Sequence, residues 1–185
     1  MRRSLLAARR NMQIYMASAE SVPPPAVTSF TPTTRPATGG TFALVGTGFL
    51  KMRQALLDTQ VLAHSVADDQ HMTITAGVQS LLEGYVIVET RGGQVYPPQL
   101  VTFTPVLTSL LPVTGPAAGG TSVVLTGAGF ATATDVTIDG NSVAFVINSN
   151  TQITATTAAH AVGAVDVAVT NPNGTATLVA GFTFV

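Results

Sequence analysis

The sequence predicts an all-β chain of two tandem β-sandwiches behind a short N-terminal amphipathic helical arm. Three observations carry this reading. Apolar residues alternate with polar ones at period two over most of the chain, the mark of strands with one buried face. Gly- and Pro-rich turn signals interrupt that alternation every several residues. A stretch at Pro105–Phe130, PVLTSLLPVTGPAAGGTSVVLTGAGF, has a degraded copy at Pro25–Phe49, PAVTSFTPTTRPATGGTFALVGTGF.

The arm comes first, at residues 1–20. Leu5, Ala8, Met12, Tyr15 and Ala19 recur at helical steps with Leu6 and Met16 nearby, while Arg2, Arg3, Arg9 and Arg10 fall largely off that stripe. A helix this short cannot bury its stripe alone. It anchors on a partner, or folds back on its own domain, or frays. As an anchor it would use Arg2, Arg3, Leu5, Leu6, Arg9, Arg10, Met12, Tyr15 and Met16. Its apolar stretch is broken by Arg9, Arg10, Asn11 and Gln13, so it does not read as a secretory signal. The Pro-rich linker follows at residues 21–26, where Pro23–Pro25 favours an extended, stiff spacer.

The repeats occupy residues 27–104 and 105–185. Ser29, Pro32, Pro36 and Gly39–Thr41 match Ser109, Pro112, Pro116 and Gly119–Thr121 at an offset of 80. Gly46, Gly48 and Phe49 match Gly127, Gly129 and Phe130 at 81. Val86, Val88 and Phe103 are matched to Val165, Val167 and Phe182 at 79. In repeat 2, strands are expected near 106–110, 121–126, 135–138, 142–147, 152–156, 164–170 and 175–184, with a type I′ hairpin turn at Asp139-Gly140. Asn173-Gly174-Thr175 has the glycosylation pattern but reads here as turn chemistry. Seven short strands in about 80 residues describe an immunoglobulin-type sandwich. Gly119, Gly120, Gly127 and Gly129 are assigned to turns, and Phe130, Phe182 and Phe184 to the core. In repeat 1, Lys51–Leu57 reads as helical or irregular, and Ala63–Gln70 and Gln79–Gly84 as irregular insertions. The leucine pairs Leu56-Leu57 and Leu81-Leu82 are expected on exposed contact loops.

The string P-x3-G-P-x2-GG-T-x5-G-x-GF over Pro112–Phe130, with the closing Phe182-Thr183-Phe184, resembles the IPT/TIG family of immunoglobulin-like domains. The resemblance covers nearly all of 105–185. Repeat 1 shares it through Thr28–Phe49, with Arg35 in place of the glycine of the Gly-Pro pair. It implies the fold firmly and function loosely, because function sits in sites grafted onto folds.

Composition excludes several function classes. There is no cysteine, so no disulfide framework and no Cys-ligated zinc. Charged residues make up 9% of the chain, far below the roughly 25% usual for soluble domains. After residue 10 the chain holds four basic against nine acidic groups, and from Pro105 onward neither Lys nor Arg. Such a body cannot track nucleic-acid phosphates. No apolar run reaches the length of a membrane span.

Gly127-Ala128-Gly129-Phe130 lacks the following helix and lysine of a phosphate loop. Asp135–Gly140 lacks the twelfth-position Glu of a calcium loop, since Val146 stands there. His64, His71 and His160 show no carboxylate or second His at ligand spacing. No nucleophile, base and oxyanion donor occur together.

These readings lead to a non-enzymatic structural or binding protein with no cofactor and no metal. A bacteriophage virion decoration or head/tail accessory protein fits the missing secretion signal, the absent cysteines, the low charge and the cationic arm. The arm and repeat 1 would hold other virion proteins or neighbouring copies in an array, and repeat 2 would stand outermost as a knob that meets a host glycan or receptor. The alternative is a cell-surface or secreted glycan- or protein-binding module.

Overall fold

The computed structural model describes residues 23–79, 83–95 and 100–185. The N-terminal arm, with every residue assigned to partner anchoring, lies outside the described residues, as do Leu81, Leu82 and Tyr96.

Repeat 1 contains β1 (Ala26–Thr31), β2 (Thr34–Pro36), β3 (Gly40–Thr47), β4 (Met52–Leu57), β5 (Gln60–Val66), β6 (His71–Ala76), β7 (Glu83–Thr90), β8 (Gly93–Val95) and β9 (Leu100–Thr104). One layer runs β1-β3-β6-β5 and the other β5-β4-β7-β9-β2, with β8 on the side of β7. The long β5 belongs to both layers. Its first half pairs with β4 and its second half with β6.

Repeat 2 contains β10 (Val106–Leu111), β11 (Thr114–Gly115), β12 (Ser122–Ala128), β13 (Asp135–Ile138), β14 (Asn141–Ser142), β15 (Phe145–Ser149), β16 (Gln152–Thr156), β17 (Gly163–Asn171) and β18 (Gly174–Phe184). Its layers are β10-β12-β16-β15 and β11-β18-β17-β13-β14. The single strand expected at 142–147 is two: β14 closes the Asp139-Gly140 hairpin in one layer, and β15 pairs with β16 in the other. Asp139 and Gly140 have φ of 50° and 73°, the two positive values that a type I′ turn needs.

The alternation puts one face of each strand into a core. Phe42, Leu44, Phe49, Met72, Ile74 and Phe103 fill repeat 1; Leu125, Phe130, Ile153, Val167, Phe182 and Phe184 fill repeat 2. Both cores close on a phenylalanine that follows a glycine in a left-handed conformation, Phe49 after Gly48 and Phe130 after Gly129, in a single 3-10 turn.

The pairing corrects the sequence register. Leu57 pairs with Val86 and Ala55 with Val88, just as Ile138 pairs with Val167 and Val136 with Val169. Val86 and Val88 therefore correspond to Val167 and Val169 at an offset of 81, not to Val165 and Val167. The Ala37 N–H donates to the Thr104 carbonyl and the Ala117 N–H to the Val185 carbonyl, so Phe103 corresponds to Phe184, not Phe182. One residue inserted near Thr121 accounts for the change from 80 to 81.

Repeat 1 is also more regular than its sequence suggests. Lys51 ends the 3-10 turn and 52–57 is strand β4, with Leu57 buried rather than on an exposed loop. Ala63–Val66 is the second half of β5. Arg35 stands where repeat 2 has Gly115, and its Nε is buried without a hydrogen-bond partner. Its guanidinium donates to the Thr41 carbonyl and lies 5.7 Å from the centre of the Phe42 ring.

Candidate functional site

The two repeats join end to end. A single buried residue, Pro105, separates β9 from β10. The corner of repeat 2 enters the end of repeat 1: Ala128 is part of the repeat 1 core. A Cβ on Gly129 would sit 2.6 Å from the Ala37 methyl. The Asn150 amide donates to the Gln79 carbonyl (2.9 Å), and the amides of Asn171 and Asn173 donate to the Phe103 carbonyl (3.3 and 3.2 Å). Each repeat also has an end away from the seam, called its free end here with respect to the seam alone, and each holds a cleft.

At the free end of repeat 1, residues Leu50, Lys51, Met52 and Arg91 line a cleft of about 370 Å³. Their counterparts in repeat 2, at the offset of 81, are Ala131, Thr132, Ala133 and Pro172, which are small and uncharged. The counterpart of Asn150 is Asp69, which accepts the N–H groups of Gly48 (3.1 Å) and Leu50 (3.3 Å). A carboxylate has no N–H to donate to a preceding domain's carbonyl. This end therefore does not repeat the seam chemistry. Among the described residues Lys51 and Arg91 have no ion-pair partner, whereas Arg53 lies 4.0 Å from Glu89. Of the four basic side chains described, Lys51 and Arg91 line this cleft; Arg35 and Arg53 do not.

At the free end of repeat 2, Ile138, Asn141, Val143, Ala158, Ala159, His160 and Phe184 line a cleft of about 340 Å³. His160 is held there by its N–H, which donates to the Ala117 carbonyl, and by stacking on Phe184 at 4.9 Å. Its Nδ1 lies 2.8 Å from the Ala161 carbonyl and its Nε2 2.9 Å from Asp139 Oδ2. Both oxygens accept, so both ring nitrogens carry protons when both bonds form. The Ala161 carbonyl first, and the Asp139 carboxylate second, raise the His160 pKa above its ordinary value. The Asn141 amide donates to the Asp139 carbonyl. The polar groups of this cleft are spent largely on one another.

Two of the three histidines thus do have carboxylate partners, while His64 Nδ1 lies 3.4 Å from the Leu62 carbonyl. His160 meets Asp139 across 21 positions, which no local spacing reveals. His71 meets Asp68 three residues away at 2.9 Å, a spacing visible in the sequence and passed over. Asp68 also accepts the N–H groups of Gln70 and His71, and the Gln70 bond and the His71 ring hold its carboxyl below the usual range. Asp135 accepts the Ser142 hydroxyl. Among the described residues no three His, Asp or Glu side chains gather into a metal-binding group. Phe130, Phe182 and Phe184 are fully buried and Gly119, Gly120 and Gly129 have φ near 80°, whereas Gly127, expected at a turn, lies within strand β12 opposite Leu107.

Residues 105–185 match the family model described as the IPT/TIG domain. Among solved structures, the chain is similar to the surface glycan-binding protein PbSGBP-B from Prevotella bryantii, at 16% identity and a TM-score of 0.51, covering 83% of this chain and 41% of that one. It is also similar to the plexin A4 extracellular region, at 22% identity and 0.43, covering 87% and 18%. SGBP-B from a xyloglucan utilization locus in Bacteroides uniformis aligns at 21% and 0.41, covering 86% and 49%. The chain spans less than half the length of each of these three. At 16% identity the likeness to PbSGBP-B speaks to the fold alone. No curated protein matches the chain.

Proposed function

Residues 105–185 are an IPT/TIG domain, and from that premise we propose that the chain is a non-catalytic binding module displayed at a cell surface, taking an acidic glycan at the free end of repeat 1. The observation that carries this is the cleft of Leu50, Lys51, Met52 and Arg91, where two cations with no ion-pair partner among the described residues flank two apolar side chains. Among the described residues no aromatic ring lines it. A neutral sugar would have no face to stack on, so charge must do the selecting. A carboxylate or sulfate on the glycan would lie between Lys51 and Arg91, with Leu50 and Met52 against the sugar ring. The rest of the body is acidic and would steer such a ligand toward this end.

The fold shared with a surface glycan-binding protein supports the cell-surface alternative over the virion role expected from composition. Anchoring by the N-terminal arm remains a proposal about residues 1–22.

The test is retention of the full chain on immobilised acidic and neutral polysaccharides. We expect binding to the acidic one, weakening as salt rises, and loss of at least tenfold in affinity in a Lys51→Glu, Arg91→Glu double variant. Equal retention on a neutral glucan, or indifference to the double substitution, would sink the proposal.

A further inference from the structure

Asn173-Gly174 belongs to the seam, not to either cleft. Residues 171–174 turn β17 into β18, with Asn171 paired to Gly174. The side-chain oxygen of Asn171 accepts the N–H groups of Asn173 (2.9 Å) and Gly174 (3.1 Å). The Asn173 amide leaves this turn and donates to the Phe103 carbonyl of repeat 1 (3.2 Å). A Cβ on Gly174 would lie 3.3 Å from Thr104 Cγ2, so its backbone also faces the last strand of repeat 1. The equivalent turn of repeat 1 joins β7 to β8, pairs Thr90 with Gly93, and has Gly92 in the place of Asn173. The turn therefore forms without an asparagine at this position. In repeat 2 the asparagine amide serves the seam.

An Asn-Gly pair carries a reaction of its own. The Gly174 nitrogen, once it gives its proton to solvent hydroxide, can add to Cγ of Asn173, because glycine has no Cβ to block the approach. The N–Cγ bond forms, the Cγ–Nδ2 bond breaks, ammonia leaves with a proton returned by water, and a five-membered imide remains. Water then opens the imide to aspartate or isoaspartate. Ring closure needs the attacking nitrogen brought onto Cγ in the right geometry. The docked seam works against that. The Gly174 N–H is committed to Asn171, and the Asn173 amide to Phe103. Asn171 is itself buried, with its own amide on the same Phe103 carbonyl (3.3 Å). When repeat 1 moves away, both amides lose that carbonyl together.

We propose that Asn173 is a self-modifying site gated by the seam: with the repeats docked it persists, and when they part it deamidates. The change runs one way. An aspartate at 173 has no N–H to donate to the Phe103 carbonyl, and isoaspartate adds a methylene to the backbone of the turn. Either product leaves the repeats less tightly joined, so a chain whose seam has opened keeps it open. The rate follows the population of the open form, as for any reaction confined to that form. None of this depends on what the clefts bind.

The test incubates the full chain at mildly alkaline pH and reads the mass gain at residue 173 by peptide mapping. Two variants open the seam without touching residues 171–174: two glycines inserted after Pro105, and Asn150→Asp, which removes the bond to the Gln79 carbonyl. We expect Asn173 to convert about tenfold faster in each than in the unaltered chain. Asn141-Ser142, at the end of repeat 2 away from the seam, should convert at one rate in all three. Chain converted at 173, separated by ion exchange through its added negative charge, should show two calorimetric transitions where the unconverted chain shows one. Equal rates at Asn173 in the three chains would overturn the proposal. So would a matching acceleration at Asn141, since unfolding of the whole repeat would then set the rate. A converted chain that keeps a single transition would overturn it as well, because the new carboxylate would not have loosened the seam.

Discussion

At the residue scale, the Gly-x-Gly-Phe corner shows two different reasons for glycine in one motif. Gly127 is there for space: a Cβ would lie 1.9 Å from the Val106 carbonyl oxygen and 2.5 Å from the Phe130 ring. Gly46 meets the same obstacles at the Ala26 carbonyl and the Phe49 ring. Gly129 is there for conformation, with φ of 76°. Gly127→Ala should destabilise repeat 2 by about 1–3 kcal/mol or more through overpacking. Gly140→Ala, where a Cβ meets nothing, should cost about 1 kcal/mol from its positive φ alone. Urea unfolding of the two variants measures the difference. The motif made these glycines legible in sequence. The His160–Asp139 pair was not legible, because the path of β13 to β17 brings it together. Its pH behaviour follows from the raised His160 pKa. The stabilisation is fully present below the unfolded value near 6.5 and is lost as pH rises through the higher folded value. Proton NMR should find the His160 midpoint above that of a free histidine, and Asp139→Asn should lower it. An unchanged midpoint in the variant would show that the carboxylate contributes nothing.

At the element scale, two errors of the sequence reading have separate causes. The Val-x-Val-x-Val pattern of β17 is self-similar under a shift of two residues, so matching letters could not choose between Val165 and Val167 as the counterpart of Val86. Hydrogen-bond register chooses. The strand β4 is MRQALL, composed mostly of good helix formers, and it became a strand because β5 and β7 pair with it on both sides. The seam between the repeats was also hidden, since its asparagines look like ordinary turn residues. Asn150 is the informative one: its counterpart Asp69 shows that a carboxylate satisfies the local corner equally well. Asn150→Asp should therefore leave repeat 2 folded yet set a carboxylate against the Gln79 carbonyl, now without a donor. That costs about 1–3 kcal/mol at the seam. In calorimetry we expect the variant to separate one cooperative transition into two, with the repeat 2 transition little changed.

At the scale of the whole molecule, the question is whether two sandwiches with separate cores behave as one body. Each repeat could close its own core, since apart from Ala128 no core residue crosses the seam. What couples them is geometry. One buried proline links β9 to β10, so the connection has almost no length over which to bend. Three asparagine amides tie the corner of repeat 2 to carbonyls at Gln79 and Phe103. Ala37 is wholly buried beside the corner, so close that a Cβ on Gly129 would meet its methyl at 2.6 Å. β18, which starts at the seam and ends at the far end of repeat 2, carries that fixed orientation about 35 Å outward at roughly 3.3 Å per residue. The cleft at Lys51 and Arg91 and the cleft at His160 are thereby held at the two ends away from the seam. Residual dipolar couplings from the two repeats should fit one alignment tensor. Two glycines inserted after Pro105 should split the fit into two tensors of different magnitude while leaving the chemical shifts of β3, β7, β12 and β17 in place. Two tensors in the unmodified chain would mean that the seam is too weak to set the angle.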